Sequence, residues 1–104
     1  MSKKDLIKWS EKVNGQLLYI ASLAYVYGKD GLYDEAVSYQ ASINSAAVEN
    51  DSLLFSSTKL ASRFLCTAAC VLISDISYEM KGLRLEGKNI SRHSEQLKYL
   101  MKLL

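Results

Sequence analysis

Residues 27–36 read YGKDGLYDEA, and the fold turns on whether this stretch holds a ligand or merely joins two helices. A nucleotide-binding P-loop has a longer glycine loop that follows a strand and ends in Gly-Lys-Ser/Thr. Here Gly28-Lys29 is followed by Asp30, and the residues before it carry a helical pattern. A calcium loop places oxygen ligands at alternate positions and closes on a glutamate, a spacing that 27–36 lacks. A turn between helices needs only a glycine to end the first and an Asp/Gly pair to begin the second. The stretch reads as such a turn.

Working outward from it, Leu6, Trp9, Val13, Leu17, Ile20, Ala24 and Tyr27 recur at intervals of three and four, which is one face of a helix. This predicts a first helix over 3–28, opened by a capping-box pairing of Ser2 with Asp5 and weakened at Asn14-Gly15, a dipeptide that favours turns. Downstream, a second helix is expected over 32–49, capped by Asp30 or Gly31. Asp34 and Glu35 lie in its first turn, where carboxylates suit the helix dipole. Its apolar face is thin: Tyr33, Ala36, Val37, Ile43 and Ala47. The capping-type cluster at 49–52 then separates it from a third helix over 53–85. One stripe of that helix is Ala61, Leu65, Ala68, Leu72, Ile76, Met80 and Leu83; a second is Leu53, Leu60, Phe64 and Val71. Two stripes mean burial on more than one side. The polar break at 87–91 leads to a short last helix over 91–104, with Ser91 as its cap, Ile90 as a staple residue, and Leu97, Leu100, Met101 and Leu104 on its apolar face. No strand-like alternation of convincing length occurs. The expected fold is all-α, an antiparallel bundle of about four helices in a single domain over 1–104.

At 1.5 Å per residue the third helix would be roughly 50 Å long and the last about 20 Å. Short neighbours cannot cover a long helix that is apolar on two sides. Either it bends, or a second chain covers the remainder. Self-association is therefore expected, most simply a homodimer, with Leu53, Leu60, Phe64 and Val71 as the interface stripe.

Composition narrows the function classes. In the 104 residues, 49% are hydrophobic, 23% are charged and none is proline, which describes a folded helical domain rather than a disordered one. The net charge of +2 is too small to imply a polyanionic partner. Its distribution is uneven. Residues 30–58 hold Asp30, Asp34, Glu35, Glu49 and Asp51 and no Lys or Arg, whereas 81–104 hold Lys81, Arg84, Lys88, Arg92, Lys98 and Lys102 against Glu86 and Glu95. Opposite blocks of this kind can pair within or between chains. The uncharged run Phe64–Ser74 is shorter than the roughly 20 residues a bilayer span requires, and no secretory signal pattern opens the chain. A cytoplasmic location without membrane attachment is expected. Cys66 and Cys70 lie four apart on one helix and are expected to be small buried thiols.

No complete catalytic motif is present, and neither a cofactor nor a metal is implied. Nucleophile–base pairs would draw on the one histidine, His93, or on a lysine beside an exposed Ser or Cys. Asp34 and Glu35 are adjacent and point apart on a helix; Asp75 and Glu79 share a face as solvated carboxylates. Five of the seven tyrosines fall within 19–39. Tyr19, Tyr25, Tyr33 and Tyr39 make a candidate partner face, since tyrosine is enriched at interfaces. Lys88, Arg92 and His93 are the candidate phosphate contacts should the basic C-terminal third meet nucleic acid.

The segment LAYVYGKDGLYDEA, through Leu23, Ala24, Tyr27, Gly31, Tyr33 and Ala36, resembles the middle of a tetratricopeptide-type helical hairpin. The resemblance implies close antiparallel packing of two helices around a small-residue contact. It covers residues 23–36; Gln40 and Ile43 depart from the family's pattern, and a solenoid needs about three such units. As a small helical bundle expected to dimerise, the chain also resembles the HEPN-type domains, some of which are ribonucleases. Their arginine, four to six residues ahead of a histidine, is replaced here by Lys88, Gly87 and Glu86 before His93. The expected function is a small non-enzymatic interaction or assembly protein that binds itself, with another protein as a further candidate partner. The alternative is a nucleic-acid-binding or HEPN-like toxin/antitoxin-type component.

Overall fold

The computed structural model describes residues 1–104 as an all-α bundle with no strand: α1 (Lys3–Val26), α2 (Asp30–Ala47), α3 (Asp51–Leu85) and α4 (Ser91–Met101). The chain divides into two compact units, Met1–Leu65 and Cys66–Leu104.

In the first unit, α1 starts where the Ser2 Oγ accepts a hydrogen bond from the Asp5 amide at 3.1 Å. It runs through Asn14-Gly15 without a break. The Asn14 side chain helps explain why: its amide donates to Asn44 Oδ1 on α2 at 3.0 Å, and Gln40 Nε2 donates to the Asn14 carbonyl at 3.3 Å. These cross-helix bonds hold a residue pair that would otherwise favour a turn.

The helix ends in a Schellman motif. Gly28 has φ 68°, its amide donates to Tyr25 O, and the Lys29 amide donates to Ala24 O at 2.8 Å. Glycine fits because a side chain in this left-handed region costs about 1–2 kcal/mol. YGKDG is thus a turn, as its residue types imply, with one difference. Neither Asp30 nor Gly31 caps α2; the N-cap is Lys29, whose side chain makes no capping hydrogen bond, and Asp30 is already helical. Asp30 supports the start through the helix dipole instead.

The turn sets α2 antiparallel to α1. The core of this unit takes Leu6, Val13, Leu17, Ile20 and Ala24 from α1 and Ala36, Ile43 and Ala46 from α2. Leu54, Thr58, Ala61 and Leu65 come from the first part of α3. Each fully buried Leu or Ile contributes about 1.5–3 kcal/mol. Two aromatic pairs tie α3 to the hairpin: Trp9 with Phe55, centroids 5.6 Å apart, and Tyr39 with Phe64 at 4.9 Å. The α2 face differs from expectation. Tyr33 and Val37 are exposed, and Ala46 rather than Ala47 is buried. The small residues Ala36 and Ala46 form the contact side, leaving the bulky pair outside. Asn50 Oδ1, accepting from the Leu53 amide at 2.7 Å, caps α3.

Thr58 is fully buried, and its Oγ1 has no hydrogen-bond partner. A buried hydroxyl left unpaired costs about 1–3 kcal/mol. Thr58→Val keeps the shape and removes that hydroxyl, so it is expected to leave stability unchanged or raise it by about 1 kcal/mol. Urea unfolding measures this; a loss of more than about 1 kcal/mol would mean that Oγ1 is hydrogen-bonded in solution.

In the second unit, α3 continues to Leu85 and buries Ala68, Ala69, Leu72, Ile76 and Met80. A second Schellman turn follows, with Gly87 at φ 71° and Lys88 N donating to Leu83 O at 2.9 Å. The cap of α4 is a correction. Ser91 is the first helical residue, and Asn89 Oδ1 accepts from both the amide and the hydroxyl of Ser91, at 2.9 and 2.8 Å. Leu100 is the fully buried anchor of α4, while Met101 and Leu104 are exposed. The cysteines also differ from expectation. Cys66 is half-buried and Cys70 exposed, both as free thiols, because the inward side of α3 is taken by Leu65, Ala68, Ala69 and Leu72.

Candidate interaction surface

Three groups of residues singled out by sequence are placed differently. The tyrosines separate into two pairs. Tyr25 and Tyr33 meet across the α1–α2 turn, centroids 6.2 Å apart, and both are exposed, Tyr25 at 76%. Tyr19 and Tyr39 each lie six residues away from one of these, about 240° around a helix that turns 100° per residue. Both are half-buried, and Tyr39 covers Phe64. The tyrosines therefore do not form one face.

What Tyr25 and Tyr33 do form is one end of a groove of about 470 Å³ between α1 and α2, walled by Leu18, Ala21, Tyr25, Val26, Tyr33 and Val37. Leu18 is 60% and Val26 71% exposed. Asp30 and Asp34 precede Tyr33 and Val37 by three residues on α2 and flank the same side of that helix; both are exposed. The Asn14–Asn44 bridge lies farther along the same helix pair. Beyond it a cleft of about 700 Å³ involves Ile7, Glu11, Asn14, Asn44 and Asp51, where the Asn14 Oδ1 is buried and unpartnered.

The α3 stripe is mostly solvent-facing. Leu53 and Leu60 are 41% and 54% exposed in the first unit, and Val71 is 38% exposed in the second. Phe64 is the exception, withdrawn beneath Tyr39. Two residues belong with the stripe that sequence reading missed: Tyr78 and Leu85, exposed at 82% and 83%. Val71, Tyr78 and Leu85 recur every seven residues in the second unit, as do Leu53 and Leu60 in the first. A period of seven is the spacing of helices that pair along a seam, and it was legible in sequence.

The basic set is not one patch. Lys88 pairs with Glu86 at 2.9 Å. Arg92 is exposed. His93 is turned inward, its Nε2 3.6 Å from Glu79 Oε2 on α3 and its Nδ1 buried without a partner. Partial burial pushes the Tyr99 hydroxyl above the ordinary tyrosine range. No group of three or more His, Cys, Asp or Glu side chains is close enough to hold a metal ion.

α3 is long and apolar enough to cross a membrane by length and composition, and 39% of its most apolar window is buried within the protein. The apolar segment is thus longer than the Phe64–Ser74 run indicates, because Ser, Thr and single charges interrupt it without ending the helix. Comparison with known protein families, characterised proteins and solved structures gives no match.

Proposed function

We propose that this chain is a small non-enzymatic helical assembly protein that works by binding a second copy of itself. The observation that carries this reading is the exposed heptad series on α3: Leu53, Leu60, Val71, Tyr78 and Leu85. Isolated exposed apolar residues are ordinary, but a contiguous apolar series on one helix marks an interaction surface. Between them the same positions carry the short side chains Ser57, Thr67 and Ser74, which let a partner helix approach, together with the withdrawn Phe64 and the exposed Lys81.

Pairing two such helices buries leucine, valine and tyrosine against one another and removes the apolar area from water. Interfaces of this kind are led by a few central residues, with tyrosine prominent among them. The cytoplasm is the setting the reading assumes. Sedimentation velocity at tens of micromolar tests it: a dimer is expected, and a stable monomer through that range overturns it. Flotation with phospholipid vesicles tests the competing use of the same apolar helix. Recovery of the protein with the vesicles, at the expense of dimer, would assign α3 to lipid.

A further inference from the structure

We propose that the aromatic groove between α1 and α2 receives the α4 segment of a second copy of this chain. The inference rests on the self-association reading above and adds a contact distinct from the α3 seam.

The groove offers an apolar wall of Leu18, Tyr25, Val26 and Val37, and Asp30 and Asp34, three residues before Tyr33 and Val37, are exposed on the adjoining side of α2. The helix that supplies those carboxylates contains no Lys or Arg. Its occupant should therefore be an apolar segment flanked by cations. α4 has that composition. Met101 and Leu104, three residues apart, are each 61% exposed, and Lys98 and Lys102 beside them are exposed as well. The end of α4 and the turn after it display two large apolar side chains that their own unit leaves in water, with Lys98 and Lys102 on either side of Met101.

The signs also exclude the symmetric alternatives. Groove against groove would bring Asp30 and Asp34 toward their own copies, and α4 against α4 would bring Lys98 and Lys102 together. Like charges placed opposite each other disfavour both arrangements. What remains is groove to α4, made reciprocally in a dimer so that the groove of each copy takes α4 of the other. Screening should then weaken it: the Debye length falls from about 8 Å at 0.15 M to about 3 Å at 1 M salt.

Single-cysteine variants in a Cys66→Ser, Cys70→Ser background read out the contact. Tyr25→Cys and Met101→Cys copies of different tag length are mixed and oxidised. The expected product is the Tyr25→Cys to Met101→Cys cross-link, in excess over both homotypic products. A statistical mixture, or a preference for homotypic products, overturns the proposal. Charge reversal gives an independent reading in the full chain. Asp30→Lys with Asp34→Lys, or Lys98→Glu with Lys102→Glu, should each weaken association by about tenfold, as two exposed pairs allow. Mixing the two reversed proteins should restore it. Wild-type dissociation constants should rise several-fold between low salt and 0.5 M sodium chloride. If both reversed proteins dimerise as wild type does, the groove is not the docking site and the α3 contact stands alone. If wild type itself is monomeric, both readings fall together.

Discussion

Ala68→Glu is expected to abolish cooperative folding. Ala68 is fully buried on the inward side of α3, between Leu65 and Leu72, which are 2% and 0% exposed. A glutamate there must bring a carboxyl group into a space sized for a methyl. The added volume forces neighbours off their rotamers, at about 1–3 kcal/mol. The charge must be desolvated or neutralised by a proton. An unpaired polar group in an apolar site costs about 2–7 kcal/mol, and the two costs together reach the whole stability of a small domain, about 5–15 kcal/mol. Circular dichroism during heating measures the outcome: a broad, non-cooperative loss of helix is expected. Cys70→Glu, two positions along, is the control. Cys70 is exposed, so its melt should stay cooperative and close to that of wild type. If Ala68→Glu melts cooperatively within a few degrees of wild type, Ala68 faces water and the inward side of α3 is wrongly placed.

The contrast between Ala68 and Cys70 also shows what was legible in the sequence. The four helices and their order followed from periodicity, because three- and four-residue spacings of Leu, Ile and Ala survive wherever one face is buried. Turns were legible wherever geometry restricts chemistry: Gly28 and Gly87 sit at positive φ, a position that few other residues tolerate. Side-chain caps were harder. At α4 the N-cap position falls on Ile90, which has no capping side chain, and Asn89, ahead of it, accepts from Ser91 instead. Which of two apolar stripes faces inward was not legible. Leu60 and Leu65 are equally apolar, yet one is 54% exposed and the other 2%. That depends on where Tyr39 and its neighbours lie, and composition does not encode it. The groove was half-visible. Tyr25 and Tyr33 stood out as tyrosines, but Tyr19 and Tyr39 stood out equally, and only the helical phase of each separates the exposed pair from the half-buried one. Cys66 and Cys70 differ from expectation for a related reason: a residue type that is usually buried lies here at partly or fully outward angles of α3.

The same distinction gives the second large expectation, that Leu60→Glu dissociates the protein without unfolding it. Leu60 lies near the middle of the first-unit part of the seam and is more than half exposed in the single chain. Replacing it should change the chain's own stability by no more than about 0.5 kcal/mol, the usual range for a surface site. Within a dimer the same glutamate meets an apolar partner surface and loses its water. Hot-spot residues at the centre of an interface cost about 2 kcal/mol or more when truncated, and a glutamate left unpaired against an apolar surface adds the cost of its desolvation. At about 1.4 kcal/mol per tenfold, the dissociation constant should rise by roughly two orders of magnitude or more. Sedimentation equilibrium over a concentration series reads the constant, and a melt taken at a concentration where both proteins are monomeric reads the fold. Phe64→Ala separates the two effects from the other direction. Phe64 belongs to the same sequence stripe but is 7% exposed and packed under Tyr39. Its truncation should cost the monomer about 3–5 kcal/mol. Any loss of association would then accompany a loss of fold. Leu60→Glu sedimenting as wild type would remove α3 from the interface. Leu60→Glu unfolding with the dimer would mean that the chain has no stable folded monomer, and that folding and assembly are one equilibrium.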